Sequence, residues 1–314
     1  MNSFDMYIVC ACDDGYSVHC GALITSIFEN HTHCRIEVFV LTDSISDDNR
    51  AKFGLLADRY HQRIDIIAID KSLFRNLPFG GKFDNISLAT YYRLLVASVL
   101  PDNLDKVLYL DCDIIVKADL MPLWNIDLNR FAFAAVEDAL PHSVEAPKRL
   151  DYSALERYYN CGVLLMNLTI LREMDFIKCA HSYWNNHLEK IVMHDQDIIN
   201  ALFHGCIKPL SAKWNMMEPF LFKKPWIPHD RLQNIKEGLR EPCIIHFTGS
   251  MKPWFKESIH PYKNMYWIYR KMSPWKNSPE QRKYQGFRLF KYRVKQLIKQ
   301  NILPVVGIRK YSFR

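Results

Sequence analysis

No segment of the 314-residue chain approaches the roughly 20 uninterrupted apolar residues that a membrane-crossing helix needs, so its 49% hydrophobic residues are free to build a globular core. Neither a Gly-x-Gly-x-x-Gly fingerprint nor a phosphate-loop lysine motif is present, which sets aside ordinary dinucleotide and ATP-hydrolysing designs. The nine cysteines, an odd number, lack the paired spacing of a zinc ribbon, and Cys10-Ala11-Cys12 is not a Cys-x-x-Cys; buried reduced thiols in a reducing compartment are expected. The N-terminus has neither a basic leader nor a long apolar segment, and no secretory signal is expected. Acidic residues are missing altogether from Gln281–Arg314, a segment with ten basic ones. The net charge of +7 therefore belongs to the tail, and the first 280 residues carry −3.

What is present begins with an alternation. Tyr7–Ala11, Ile36–Leu41 and Ile64–Ile69 read as strands, and Ser17–Glu29 and Asp47–Arg59 between them as helices. This βαβαβ order predicts an α/β protein whose sheet is parallel and doubly wound at its start. Leu88–Leu100 reads as a helix stopped by Pro101. More strands are expected at Phe131–Val136, Cys161–Asn167 and Cys243–Phe247, with helices over 175–189 and from Asp195. Beyond residue 206, many Trp, Pro and Lys residues suggest loops over a site.

Residues 106–116, KVLYLDCDIIV, form an apolar run that delivers two carboxylates. On one extended segment Asp111 and Asp113 share a face while Cys112 points back into the protein. Two hard oxygen donors at a strand's carboxyl end suit a divalent cation that keeps positions open for substrate phosphates, although aspartates also end strands simply as turn residues. The substrate expected is a diphosphate. At the end of the first strand, Asp13 and Tyr16 offer a carboxylate for a base edge and a ring for stacking, while Asp13 and Asp14 also suit a helix cap. In IIHFTGSMKPW, His246 can complete a metal site, Gly249 lets backbone approach a phosphate, and Lys252 can neutralise a departing one. Asp195 and Asp197 complement a helix dipole, but Gln196 between them does not. An amide there can steady positive charge beside an electron-poor carbon.

Taken in order, ACDDGY (11–16), TYYRLL (90–95), YLDCDIIV (109–116), YYNCGVLLMNL (158–168), HDQDIINALF (194–203) and HFTGSMKPW (246–254) resemble the glycosyltransferase family 8 pattern over roughly residues 6–255. The branch resembled is that of bacterial lipooligosaccharide and lipopolysaccharide α-galactosyl- and α-glucosyltransferases. The resemblance implies a GT-A fold over residues 1–275, a Rossmann-like mixed sheet with helices on both faces, a UDP-galactose or UDP-glucose donor, Mn²⁺ or else Mg²⁺, and transfer with retention of configuration. By motif, Asp111, Asp113 and His246 would bind the metal, and Ala11, Asp13 and Tyr16 the uridine. Arg93, Asn160, Asp195 and Gln196 would surround the donor sugar, Cys112 would join the donor-binding set, and Gly249 and Lys252 would hold the diphosphate. Gln196 matches the residue at the reacting face, with Asp195 and Lys252 completing the catalytic set. Glu137 and Asp138 stand near the family's acidic acceptor-binding position.

The tail, residues 276–314, lies outside the strong match. Phe287, Phe290, Val294, Leu297 and Asn301 keep helical spacing beside Ile298, and Arg288, Lys291, Lys295 and Lys299 fall mostly off that stripe. A basic amphipathic helix is expected, drawn to anionic lipid at about 1 kcal/mol per basic residue; a helix packed on its own domain is the competing reading. These features predict a hexosyltransferase on the inner face of a bacterial cytoplasmic membrane, with a lipid-linked or envelope saccharide as acceptor and no nucleic-acid partner. Its rivals are a glucosyltransferase acting on a protein or another glycan and a tethered carbohydrate-binding pseudoenzyme. Both aspartates, His246 and Lys252 argue against the pseudoenzyme.

Overall fold

The computed structural model describes residues 4–74, 87–138, 141–221 and 231–297. Its first half follows the predicted alternation through β1 (Met6–Ala11), α1 (Ser17–Glu29), β2 (Ile36–Thr42), α2 (Asp47–Tyr60) and β3 (Arg63–Ala68). A tightly wound run over Leu88–Leu95 and the short α3 (Val96–Val99) lead to β4 (Lys106–Leu110) and β5 (Ile114–Val116). The middle holds α4 (Met121–Trp124), β6 (Phe133–Glu137), α5 (Pro141–Arg149), β7 (Tyr159–Asn167), α6 (Leu168–Glu173), α7 (Phe176–Asn186) and α8 (His194–Phe203). The region past residue 206, expected mostly as loops, contains β8 (Ile207–Pro209), β9 (Met216–Met217) and α9 (Leu232–Arg240); the predicted strand follows as β10 (Ile244–His246), then α10 (Lys263–Met272) and, where a tail helix was expected, α11 (Gly286–Leu297). Strands of two or three residues are too short to leave a periodicity in sequence.

Seven strands form one sheet in the order β3-β2-β1-β4-β7-β6-β8. The half built by the opening βαβαβ order is parallel, whereas β7 runs antiparallel to both β4 and β6, so the sheet is mixed. A smaller sheet, β5-β10-β9, places β10 antiparallel to β5 and parallel to β9. Side chains of β1 alternate between two cores: Ile8 and Cys10 join Cys20, Leu23 and Ile27 of α1, and Val9 and Ala11 join Tyr91, Leu94 and Ile198 on the opposite face. Both faces are dry, which is why β4 has no polar side. Each fully buried aliphatic side chain contributes roughly 1.5–3 kcal/mol.

Leu88–Leu95 is a 3-10 rather than an α-helix, capped by Ser87. All five residues from Tyr91 to Leu95 are buried, more than one face of an α-helix can hide. Three residues per turn present them in turn to β1, α7 and α8. Ile298, Lys299 and Asn301 of the predicted tail stripe, and everything beyond them, lie outside the described residues.

Candidate active site

Where β1 and β4 end and the antiparallel β7 begins, a cleft of about 340 Å³ opens, lined by Ala11, Asp13, Tyr16, Arg93, Asp111, Asp113 and Lys252 among others. That is within the range of small-molecule sites. The two aspartates do not share a strand face as predicted. β4 stops at Leu110 and β5 starts at Ile114, so Asp111-Cys112-Asp113 is the turn by which the chain leaves the large sheet for the small one. Their carboxylates converge all the same, while the Cys112 thiol is buried and donates to Ala11 O at 3.2 Å.

His246, at the end of β10, completes a trio with them. Its Nε2 lies 3.1 Å from Asp113 Oδ1 and 3.8 Å from Asp111 Oδ2, and one ligand atom from each residue lies within 4.8 Å of the others. Adjacent ligand atoms around a cation with bonds of about 2.1 Å are about 3 Å apart, so this set fits a small divalent ion. A backbone amide settles the imidazole tautomer. Gly162 N donates to Asn160 Oδ1, which therefore accepts from Asn215 Nδ2 as well; Asn215 must then turn its Oδ1 to His246, whose Nδ1 carries the proton and donates across 2.9 Å. Nε2 is thereby the nitrogen left facing the two carboxylates, as a donor to them when protonated and as a ligand to a cation between them when not. Space comes from Gly162, where an added Cβ would stand 2.2 Å from His246 Cε1 and 2.8 Å from Asp111 Oδ2.

Two protein cations share the cleft. Lys252 Nζ lies 2.5 Å from Asp113 Oδ2 and 2.6 Å from Phe247 O. Burial pushes the Asp113 carboxyl up, but Lys252 and His246 outweigh it and hold it below the usual carboxylate range. Arg93, only 5% exposed, donates from Nη2 to Asp111 Oδ1 at 2.8 Å, and its Nε lies 2.8 Å from Asp195 Oδ2. Burial raises Asp195 to about 7; Arg93 draws it down and Asp111 adds to the rise. Behind them Gln196 is fixed at both ends. Its Oε1 accepts from Cys161 N and Asn160 Nδ2, and its Nε2 donates to Asp138 Oδ2 at 2.9 Å. Asp138, and not Glu137, is thus the acidic residue that reaches this network; Glu137 instead lies 2.7 Å from Arg231.

The bland readings hold for some neighbours. Asp13 caps the turn Asp14–Tyr16 through the Tyr16 amide, and Asp14 accepts from Ser46 and Asn49 at the start of α2. Asp197, fully buried, receives both Arg149 terminal nitrogens, the Tyr158 hydroxyl and the Val192 and Met193 amides, and so anchors the start of α8. Gly249 stands against Glu218, whose Oε2 would be 1.8 Å from an added Cβ. Thr248 and Lys252 from that loop line the cleft. Tyr16 packs edge-on against Trp254, which stacks on His19. Sequence reasoning missed Gly162 and Asn215; Gly162 lay inside a quoted motif without any chemistry to single it out.

The model of the family "Glycosyl transferase family 8" matches residues 7–258. Lipopolysaccharide 1,2-glucosyltransferase of Escherichia coli (strain K12) is 31% identical over 292 residues, covering 92% of this chain and 84% of that protein. General stress protein A of Bacillus subtilis (strain 168) is 27% identical over 276 residues, 86% of this chain and 94% of that protein. Among solved structures, galactosyltransferase LgtC in complex with donor and acceptor sugar analogues is similar with a TM-score of 0.77 at 26% identity, covering 91% of this chain and 100% of that one. With the mixed seven-stranded sheet, this likeness establishes the expected GT-A fold.

Proposed function

The chain belongs to glycosyl transferase family 8 and is a glycosyltransferase, and on that premise we propose that it moves galactose or glucose from a UDP-sugar to a saccharide of the lipopolysaccharide type, with retention of configuration. The acceptor class is suggested by the Escherichia coli relative and by a 25% identical lipopolysaccharide 1,3-galactosyltransferase of Salmonella typhimurium. The observation that carries the reading is the convergence of Asp111, Asp113 and His246 beneath a cleft whose other wall is Asp13 and Tyr16.

Asp111, Asp113 and His246 would hold Mn²⁺, or Mg²⁺ in its place, which when bound neutralises charge on the departing diphosphate. Lys252 adds a second positive charge on the same side, and Gly249 shapes the backbone beside it. Ala11, Asp13, Tyr16 and the backbone at Cys112 receive the uridine. Arg93 and Asn160 orient the sugar together with Asp195. Gln196, tethered at both ends, presents an uncharged amide to the anomeric carbon and steadies positive charge there; an amide is a poor nucleophile.

Residues 276–314 act as a separate basic element that binds the anionic inner face of the cytoplasmic membrane. Supporting this, Phe287 and Phe290 of α11 are 69% and 61% exposed and Val294 and Leu297 are exposed as well, while Tyr292 tethers the helix to Glu257 O and Leu297 borders a groove with Ile259. Among the described residues no helix is long and apolar enough to cross a membrane. The test is hydrolysis of a panel of nucleotide sugars with and without Mn²⁺, which needs no acceptor. Mn²⁺-dependent release of UDP from UDP-galactose or UDP-glucose is expected, and its persistence in Asp113→Ala would remove the cation assignment.

A further inference from the structure

Directly beneath the cleft, on the side of the sheet covered by α1, four of the nine cysteines meet. Cys10 and Cys12 share a face of β1 and its continuation, Cys20 lies in the first turn of α1, and Cys112 turns inward between the two aspartates. Cys10 Sγ and Cys20 Sγ are 3.4 Å apart, and the sulfurs of Cys10, Cys20 and Cys112 all lie within 4.8 Å of one another. Cys12 belongs to the same buried cluster, but its sulfur stands outside that trio. All four are buried. Cys10 Sγ also donates to Phe39 O at 3.8 Å, and Cys112 Sγ to Ala11 O at 3.2 Å.

We propose that Cys10, Cys20 and Cys112 form a binding site for one soft divalent cation of the zinc class, with Cys12 as the neighbouring thiol that could take the fourth position, distinct from the carboxylate–imidazole site above it. Sulfurs around zinc at about 2.3 Å stand about 3.8 Å apart, a spacing that falls between the 3.4 Å of the Cys10–Cys20 pair and the 4.8 Å that bounds the three sulfurs. Thiolates select such an ion, whereas Mn²⁺ and Mg²⁺ prefer oxygen, so the two sites discriminate by hardness. On binding, each ligating thiol gives its proton to solvent. The resulting negative charge lies at the N-terminal end of α1, whose dipole favours anions. An entry path exists: Cys12 and Cys112 line the cleft floor. An ion there would tie together β1, α1 and the Asp111–Asp113 turn, three segments that otherwise meet only through packing and weak thiol contacts.

The experiment uses full-length, untagged protein kept reduced with a phosphine and titrated with Co²⁺, then Zn²⁺. We expect a thiolate-to-cobalt charge-transfer band that saturates at one ion per chain and is bleached by zinc, and a rise in Tm of roughly 5 °C at about a hundredfold excess of zinc over its Kd. Cobalt held by Asp111, Asp113 and His246 gives no thiolate band, so the upper site cannot imitate this signal. Cys20→Ser and Cys10→Ser should each lower the band's intensity and shift its saturation to higher cobalt, since each removes a ligating thiolate. Absence of the band in the unmodified protein, or its survival unchanged in both variants, overturns the proposal. Should a variant fail to fold, the titration of the unmodified chain and the remaining variant decide.

Discussion

Gly162→Ala offers the sharpest test of the cation site, because it alters no ligand and no charge. The new methyl group would sit 2.2 Å from His246 Cε1 and 2.9 Å from its Nδ1, so the ring must retreat by about 1 Å to reach an ordinary contact near 3.4 Å. It has nowhere easy to go, since His246 is buried and hydrogen-bonded to the fully buried Asn215. Metal–ligand distances hold to within about 0.2 Å, so a shift of this size takes Nε2 out of coordination. Mn²⁺ affinity should fall at least ~10- to 100-fold, read by calorimetric titration in the presence of UDP. Overpacking should also cost roughly 1–3 kcal/mol of stability. The ring's share of that second effect can be assigned by a double-mutant cycle: in a His246→Ala background only the 2.8 Å approach to Asp111 Oδ2 remains, and the same substitution should cost less. Gly54→Ala, whose added Cβ meets nothing within 4 Å, serves as the control. A folded Gly162→Ala protein that binds Mn²⁺ as tightly as the parent would refute the placement of His246 as a ligand.

Gln196→Ala should lower kcat far more than it raises the donor KM, as steady-state kinetics will show; a large KM change at near-normal kcat would make it a binding residue only. Asp195, raised to about 7 from an ordinary 3.8, keeps its proton more tightly when folded, so its stabilising contribution is complete at low pH and is lost as pH rises from about 4 through 7. Metal-free protein should therefore lose stability across that window, by at most about 1.4 kcal/mol per pH unit from this group, and chemical denaturation of Asp195→Asn should show a flatter profile. Removal of Gly286–Arg314 should abolish sedimentation with anionic vesicles while donor hydrolysis persists. Binding of the intact chain should weaken with salt, as charges are screened over ~10 Å at 0.1 M.

The frame of the site could be read from sequence because strand ends announce themselves. Apolar runs closing on Asp13, Asp111 and His246 located three of the segments that meet at the cleft, although Asp111 and Asp113 converge through a turn and not through strand alternation. Gln196 likewise stood out against the expectation for a first helical turn, whereas Asp195 conformed to it and was marked only by the resemblance. Gly162 and Asn215 did not, because a missing Cβ and a tautomer-setting amide matter only through neighbours distant in sequence. The thiol cluster was hidden for the same reason: Cys112 follows Cys10 by about a hundred positions, and only the parallel pairing of β1 with β4 makes them neighbours.

The small sheet has a bearing on how the chain matures. Its central strand, β10, is made after both of the strands it joins, so β5 and β9 have no edge to pair with until residue 246 is available. All seven strands of the large sheet, by contrast, are complete by Pro209. A nascent chain can therefore assemble its scaffold while Asp111 and Asp113 still lack His246 and Lys252, and the ability to hold a cation arrives as one of the last events of synthesis. Competence to bind thus lags behind foldedness, and an arrested chain ending before residue 244 should have a protease-resistant sheet but no cation-dependent retention on immobilised UDP.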